Sequence, residues 1–266
     1  MNFEKNTFSK RIKSMLGVDF RRMFTSLLFY IMIGISFVMP ILILVMTTMM
    51  DGMVSVDPQT GAETVIEGFK NVWQIIGTVS GNNSAMMAMD ITSMCNINMM
   101  FFVVAVFVCI FVSDDFRSGY CKNLFTVRPN KTDYIVSKSI VCFVAGSGMI
   151  LAFFLGSMVG GAIAGLPFTL EGFTVFNVIM SVLSKMLLVG IFVALFLLAS
   201  VIAKQRLWLS LILAFGIGML MFTMVPIITP INSGIINLIL CSVGSIIFSC
   251  GIGVGSYYIL KKTSII

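Results

Sequence analysis

The sequence predicts an all-α polytopic membrane protein with six transmembrane helices, and three observations lead to that fold class. Hydrophobic residues make up 58% of the 266 residues and charged residues only 11%, whereas soluble proteins carry about 25% charged residues. Long stretches of the chain contain no charge at all. Lysine and arginine are concentrated in segments that share one side of the membrane once those stretches are taken as spans.

Uncharged runs mark the spans, because a helix needs about 20 apolar residues to cross the hydrocarbon core. The last run, 207–260, is too long for one span and contains Pro226-Ile-Ile-Thr-Pro230. Two prolines in that stretch remove backbone donors and predict a break. None of the runs alternates like a barrel strand, so helices are expected throughout. The predicted spans are 24–48, 94–113, 138–164, 184–203, 207–225 and 236–260.

Positive charge predicts the orientation of the chain. Of the 17 lysines and arginines, all except Lys70 and Lys185 fall on the side shared by both termini. Cytoplasmic loops are enriched in these residues, so both termini of this plasma-membrane protein are predicted to be cytoplasmic. The net charge of +6 is therefore assigned to topology, and no nucleic-acid partner is expected. Lys185 is expected at the outer edge of the fourth span, its stem snorkelling to the surface, with substrate contact as the alternative.

Three segments outside the spans complete a single domain, 1–266. Residues 1–23 are predicted to contain an amphipathic helix that lies in the membrane interface. Residues 49–93 form one large extracellular loop, and residues 114–137 form a charged cytoplasmic segment between the second and third spans. The apolar face of the interfacial helix contains Phe8, Ile12, Met15, Leu16 and Phe20.

Residue types that carry chemistry are scarce. The chain contains no histidine, and its six cysteines are scattered without a CxxC pair. It has no GxxxxGK[ST] motif that could hold ATP phosphates. No span has an acid near its centre, which argues against an intramembrane protease and against ion-coupled transport. Catalytic, cofactor-binding and metal-binding residues are therefore not expected in this chain.

Small residues recur in the third span at spacings that allow close helix packing. Gly156 and Gly160 form one small-xxx-small pair, and Gly161 and Gly165 form a second. Packing within the chain and packing against another subunit are both compatible with this pattern.

The charged segment 114–137 also carries apolar side chains. Such a segment can form a short helix along the membrane face and insert its apolar residues into a groove on a soluble partner. Pro129 and Asn130 would make the turn that ends it. An ordinary solvated loop that holds positive charge is the alternative, and the spacing does not decide between them. The apolar residues are Phe116, Leu124, Phe125, Val127 and Tyr134.

This arrangement resembles the membrane subunit of an ABC-2-type exporter. The resemblance covers the whole chain in layout and the charged segment in motif. The segment departs from the family pattern at Tyr120, where threonine is common, and at Asn130-Lys131, where Ser-Arg is common. The matching residues are Asp115, Arg117, Gly119, Tyr120, Leu124, Pro129, Lys131, Tyr134 and Lys138.

The resemblance implies that the charged segment is a coupling helix that docks on a separate P-loop ATPase subunit. It assigns the coupling role to Asp115, Arg117, Gly119, Tyr120, Leu124, Phe125, Lys131 and Tyr134. It also implies two permease copies, or one copy with a homologous permease, above an ATPase dimer that carries the ATP and Mg²⁺.

The expected function is export of a hydrophobic or amphipathic cargo, with an antimicrobial peptide or lantibiotic ranked before a drug. Twenty-two methionines and 24 phenylalanines are compatible with an adaptable apolar lining for such a cargo. An ATP-independent channel or a membrane-anchoring subunit is the alternative.

Overall fold

The computed structural model describes residues 8–56, 63–65, 67–77, 95–127, 130–170 and 172–262. These residues form helices joined by short connections, with a single small hairpin between the second and third α-helices. The helices are α1 (Phe8–Thr25), α2 (Leu27–Met50), α3 (Met100–Arg117), α4 (Tyr120–Val127), α5 (Lys131–Ala164), α6 (Val175–Ala203), α7 (Leu207–Phe222), α8 (Val225–Ile228) and α9 (Ile235–Lys262).

Among the described residues, five helical segments are long and apolar enough to cross a membrane, judged by their length and composition. They are Leu27–Met50, Ile97–Arg117, Lys131–Ala164, Val175–Ala203 and Ile235–Lys262. Helix α7 is equally apolar but has only 16 residues. The chain is therefore a polytopic, predominantly helical protein, as its composition predicts.

The predicted break after the fifth span lies a little later than its first proline. Pro226 sits in the first turn of α8, where a residue without a backbone N–H is tolerated. The helical path ends at Thr229, and α9 begins at Ile235.

Helices α5 and α6 occupy the centre of the bundle. Helix α5 packs against α1, α2 and α6, while α6 also packs against α3, α7 and α9. Phe101 of α3 stacks on Phe192 of α6 with ring centroids 4.3 Å apart. Burial is much lower on α2 and α9, whose apolar outer faces suit contact with lipid.

The first small-residue pair of α5 lets α2 approach it closely. A Cβ atom on Gly156 would lie 2.1 Å from the Phe37 carbonyl oxygen, and one on Gly160 would lie 2.7 Å from the Ile41 Cα. Such distances are shorter than van der Waals contact, so only glycine fits. Gly161 is equally enclosed by Val72, whereas Gly165 ends α5 in the left-handed conformation, with φ +69°. These glycines therefore serve packing and termination within this chain.

The contacts define two ends of the bundle. At one end, called the α4 end, α1, α4 and the start of α5 meet the end of α9, where Lys131 Nζ donates to the Leu260 carbonyl at 2.6 Å. At the other end, called the hairpin end, the Asn71 amide donates to the Thr169 carbonyl, and the Asn177 amide donates to the Ser233 carbonyl.

The hairpin end also contains the described part of the predicted loop 49–93. Strands β1 (Val54–Val56) and β2 (Glu63–Val65) pair antiparallel, with Val54 opposite Val65. A 3-10 turn follows at Val72–Ile75, and Trp73 is buried against Phe168. Residues 57–62, 66 and 78–94 of this loop lie outside the described part of the chain.

The expectation that Lys185 snorkels to the surface is wrong. Its side chain is completely buried, and Nζ donates to the Thr229 carbonyl at 2.6 Å and to the Ser181 hydroxyl at 3.1 Å. The end of α8 leaves carbonyl oxygens without helical partners, and a lysine is a suitable donor for such groups. Lys185 therefore joins α6 to the α8–α9 turn.

We expect Gly156→Ala to destabilise the protein by about 1–3 kcal/mol, because the added methyl group forces α2 away from α5. The free energy of unfolding in mixed detergent–SDS micelles would measure this loss. The matched control is Gly148→Ala on the same helix, whose new Cβ would lie 3.6 Å from the end of the flexible Ile33 side chain. Equal stability of the two variants would contradict the close packing of α2 on α5.

Candidate functional site

A sharp turn separates α3 from the short helix α4. Helix α3 ends at Arg117, and Gly119 adopts φ +75°, a conformation that side chains with a Cβ rarely take. The chain then reverses through α4 and re-enters the bundle at Lys131. Helix α4 therefore lies between two long helices as a separate element of eight residues.

Four charged side chains from three helices meet behind α4, and we call them the ion cluster: Asp19, Arg22, Asp115 and Lys138. Lys138 Nζ lies 3.0 Å from Asp19 Oδ1 and 2.8 Å from Asp115 Oδ2. Arg22 Nη1 lies 2.7 Å from Asp115 Oδ1. The two cations and two carboxylates balance, so the group carries no net charge.

Hydroxyl groups complete the coordination of both carboxylates. The Tyr134 hydroxyl donates to Asp115 Oδ2 at 3.0 Å, and the Ser137 hydroxyl donates to Asp19 Oδ2 at 2.5 Å. Asp19, Asp115 and Lys138 are all 0% exposed. Ionised groups are stable in such a place only when they are paired and hydrogen-bonded.

Aromatic rings enclose the two cations. The Arg22 guanidinium lies 4.2 Å from the centre of the Tyr120 ring, and Lys138 Nζ lies 4.1 Å from the centre of the Phe111 ring. Cations are attracted to the faces of aromatic rings at such distances. Tyr120 therefore connects α4 directly to the ion cluster.

Burial and the charges of the ion cluster shift the pKa values of Arg22 and of two side chains on α4. Burial lowers the pKa of Arg22, but the Asp115 carboxylate offsets this effect, so that the pKa is raised overall. Burial and the Asp19 carboxylate raise the pKa of Tyr120, and burial raises the pKa of Cys121 to about 12. Both side chains of α4 therefore stay protonated at neutral pH.

A second ion pair and a lysine contact extend these connections. Arg11 Nε donates to Asp133 Oδ2 at 3.0 Å, which attaches the first turn of α1 to the first turn of α5. Lys131 connects the same turn of α5 to Leu260 near the end of α9. These contacts and the ion cluster therefore join α1, α3, α5 and α9 next to α4.

The predicted coupling residues divide into an inner and an outer group. Asp115 is buried in the ion cluster, Tyr134 is buried beside it, and Tyr120 covers it. Leu124 and Phe125 pack partly against the core, with Phe125 meeting the Tyr134 ring at a centroid distance of 5.6 Å. Gly119 supplies the turn, and Lys131 contacts α9.

Arg117 belongs to the outer group, together with other residues that face away from the bundle. What we call the outer face of α4 comprises Lys122, Asn123, Thr126 and Val127 of α4 together with Arg117 at the adjoining end of α3, all of which are exposed. Val127 is 79% exposed. Arg128 and Pro129 lie outside the described residues.

Sequence reasoning missed Asp19 and Arg22. Asp19 is buried on the same face of α1 as Met15 and Met23, which precede and follow it by four residues. An acid in the middle of an apolar helical face is costly unless a cation lies opposite. The position of Asp19 on this apolar face was therefore a signal that a buried cation lies opposite. The sequence does not show that this cation is Lys138, because the two residues are far apart in the chain.

No family model, no curated protein and no solved structure matches this chain.

We expect Asp115→Asn to destabilise the protein by about 3–5 kcal/mol, because Arg22 and the buried Lys138 would then share the single carboxylate of Asp19. The matched control is Asp114→Asn at the neighbouring exposed carboxylate, which should change stability by less than about 0.5 kcal/mol. Unfolding in mixed micelles measures both. A small effect at both positions would show that the ion cluster contributes little to the fold.

Proposed function

We propose that this chain is the membrane-spanning permease subunit of an ATP-driven exporter of the ABC-2 type. The observation that carries the proposal is the attachment of α4. Its outer face is exposed, while its inner face rests on an ion cluster drawn from α1, α3 and α5. A force on such a helix is transmitted to three helices together.

The proposed topology has six spans with both termini in the cytoplasm of the cell. Helix α7 would supply the fifth span together with α8, because Thr223 and Met224 between them keep right-handed helical dihedral angles. The combined segment 207–228 would be about 33 Å long, enough to cross the hydrocarbon core. Lysine and arginine at the α4 end support a cytoplasmic placement of that end.

In this proposal, α1 lies in the cytoplasmic interface beside the bundle. Its buried face, with Met15 and Met23, contacts α5, while Phe8 is 51% exposed and would reach the lipid. Lys10 and Lys13 are exposed and would meet the headgroups.

The outer face of α4 would contact the P-loop ATPase subunit. ATP and Mg²⁺ would bind to that partner, whose closure would displace α4. The ion cluster would carry this displacement into α1, α3 and α5 as a rigid-body motion. Two permease chains and two ATPase subunits would form the complete transporter.

The proposed cargo is hydrophobic or amphipathic, with an antimicrobial peptide or lantibiotic ranked before a drug. The support is compositional: methionine and phenylalanine are abundant, and flexible methionine side chains adapt to irregular apolar ligands.

We expect the double variant Arg117→Glu/Val127→Asp to lose its ATPase partner, because one change reverses the charge and the other places a carboxylate in an apolar contact. When the tagged wild-type chain is purified from membranes of its own host, a P-loop ATPase should co-purify with it, and the preparation should hydrolyse ATP. The amount of co-purified ATPase and the rate of ATP hydrolysis should each fall by about tenfold or more in the double variant.

Lys10→Glu is the matched control, since Lys10 is an exposed cation at the α4 end that does not belong to α4. It should retain the ATPase. If no nucleotide-hydrolysing protein co-purifies with the wild-type chain, that result favours the alternative of an ATP-independent channel or anchoring subunit. If the double variant keeps its ATPase activity, the coupling role of the outer face is refuted.

A further inference from the structure

An apolar cleft opens between α5, α6 and α9 on the outside of the bundle. Its volume is about 650 Å³, within the range of about 300–1,000 Å³ that is typical of small-molecule sites. Ile135 and Phe143 of α5 form one wall, and Val254 and Tyr257 of α9 form the other. None of the described residues that line it is charged.

The residues at the opening of the cleft face outward from the bundle. Ile246 is 62% exposed and Val254 is 55% exposed. In a membrane, side chains at such positions meet acyl chains, and a cleft between them is open to lipid from the side. Gly253 lines the cleft without a side chain, and Gly190 lets Ser245 approach so closely that an added Cβ would lie 2.2 Å from the Ser245 hydroxyl oxygen.

Hydroxyl groups are distributed along the cleft between α5 and α9. Thr132 and Ser139 lie on the first turns of α5, and Ser249 on α9 donates to the Gly190 carbonyl at 3.0 Å. The exposed Thr132 hydroxyl lies at the α4 end of the cleft. It can donate a hydrogen bond to a phosphate or ester oxygen there.

The α4 end of the cleft is bordered by cations. Lys131 precedes the cleft residue Thr132, and its Nζ is held at the Leu260 carbonyl, one turn beyond Tyr257. Lys261 and Lys262 follow and are exposed. The nearest carboxylate in the sequence, Asp133, is buried and paired with Arg11.

We propose that this cleft binds an anionic phospholipid. One acyl chain would occupy the apolar interior, and the phosphate would lie between the cationic border and Thr132. The charge pattern favours this occupant over a second copy of the chain, because a symmetric contact here would bring like charges together. It also favours an anionic over a zwitterionic lipid, since each lysine near an anionic headgroup adds to the electrostatic attraction.

The test is lipid binding to the purified full-length chain, measured by native mass spectrometry during titration with phosphatidylglycerol or phosphatidylcholine. Phosphatidylglycerol should bind about tenfold more tightly. Lys261→Ala/Lys262→Ala should remove most of that preference, so that the two lipids bind within about twofold of each other. Gly253→Leu should fill the cleft and abolish high-affinity binding, since the new Cβ would lie 4.0 Å from Ile135 Cγ2 and the side chain would project into it.

Gly251→Leu is the matched control, because Gly251 lies on the same helix in open space and does not line the cleft. It should leave lipid binding unchanged. Equal binding of the two lipids, or equal behaviour of the two leucine variants, would overturn the proposal, because either result describes a general lipid annulus. Conversion of a dimer to a monomer by Gly253→Leu, with lipid binding unaltered, would overturn it in favour of a contact between copies. If Gly253→Leu does not fold, the lipid preference of the Lys261→Ala/Lys262→Ala variant alone tests the proposal.

This inference is independent of the proposed exporter function. Loss of the ATPase partner would leave lipid binding unaffected, and loss of lipid preference would leave the ATPase contact of α4 unaffected.

Discussion

The ion cluster is the constraint on which the α4 end of this protein depends. Asp19, Arg22, Asp115 and Lys138 come from three helices and are mutually compensating. Removal of one helix would leave charge buried without a partner, and such a state costs several kcal/mol. The three helices are therefore held together by a requirement for charge balance as well as by apolar packing.

The position of α4 follows from the same constraint. Tyr120 covers the Arg22 guanidinium, and Phe125 meets Tyr134, whose hydroxyl donates to Asp115. A helix of eight residues is too short to be stable alone in water. Its conformation is therefore supported by the bundle, and the outer face remains available for contact with another molecule.

Much of the fold could be predicted from the sequence, because it depends on local patterns. Uncharged runs located the long helices, whereas Met15, on the face of α1 predicted to lie in the membrane interface, is buried within the bundle. The ion cluster could not be predicted in the same way, because Asp19 and Lys138 are far apart in the chain and either could have paired elsewhere. Lys185 shows the same limit, since its partner Thr229 depends on where α8 ends.

Membrane-impermeant thiol labelling tests the central claim, the cytoplasmic location of α4, most directly. Thr126→Cys would be introduced on the outer face of α4 in a chain whose native cysteines are replaced, with Lys70→Cys at the hairpin end for comparison. The account predicts that Thr126→Cys reacts in inside-out vesicles and not in intact cells, and that Lys70→Cys shows the opposite pattern. Reaction of Thr126→Cys in intact cells would place α4 outside, where no cytoplasmic ATPase could reach it.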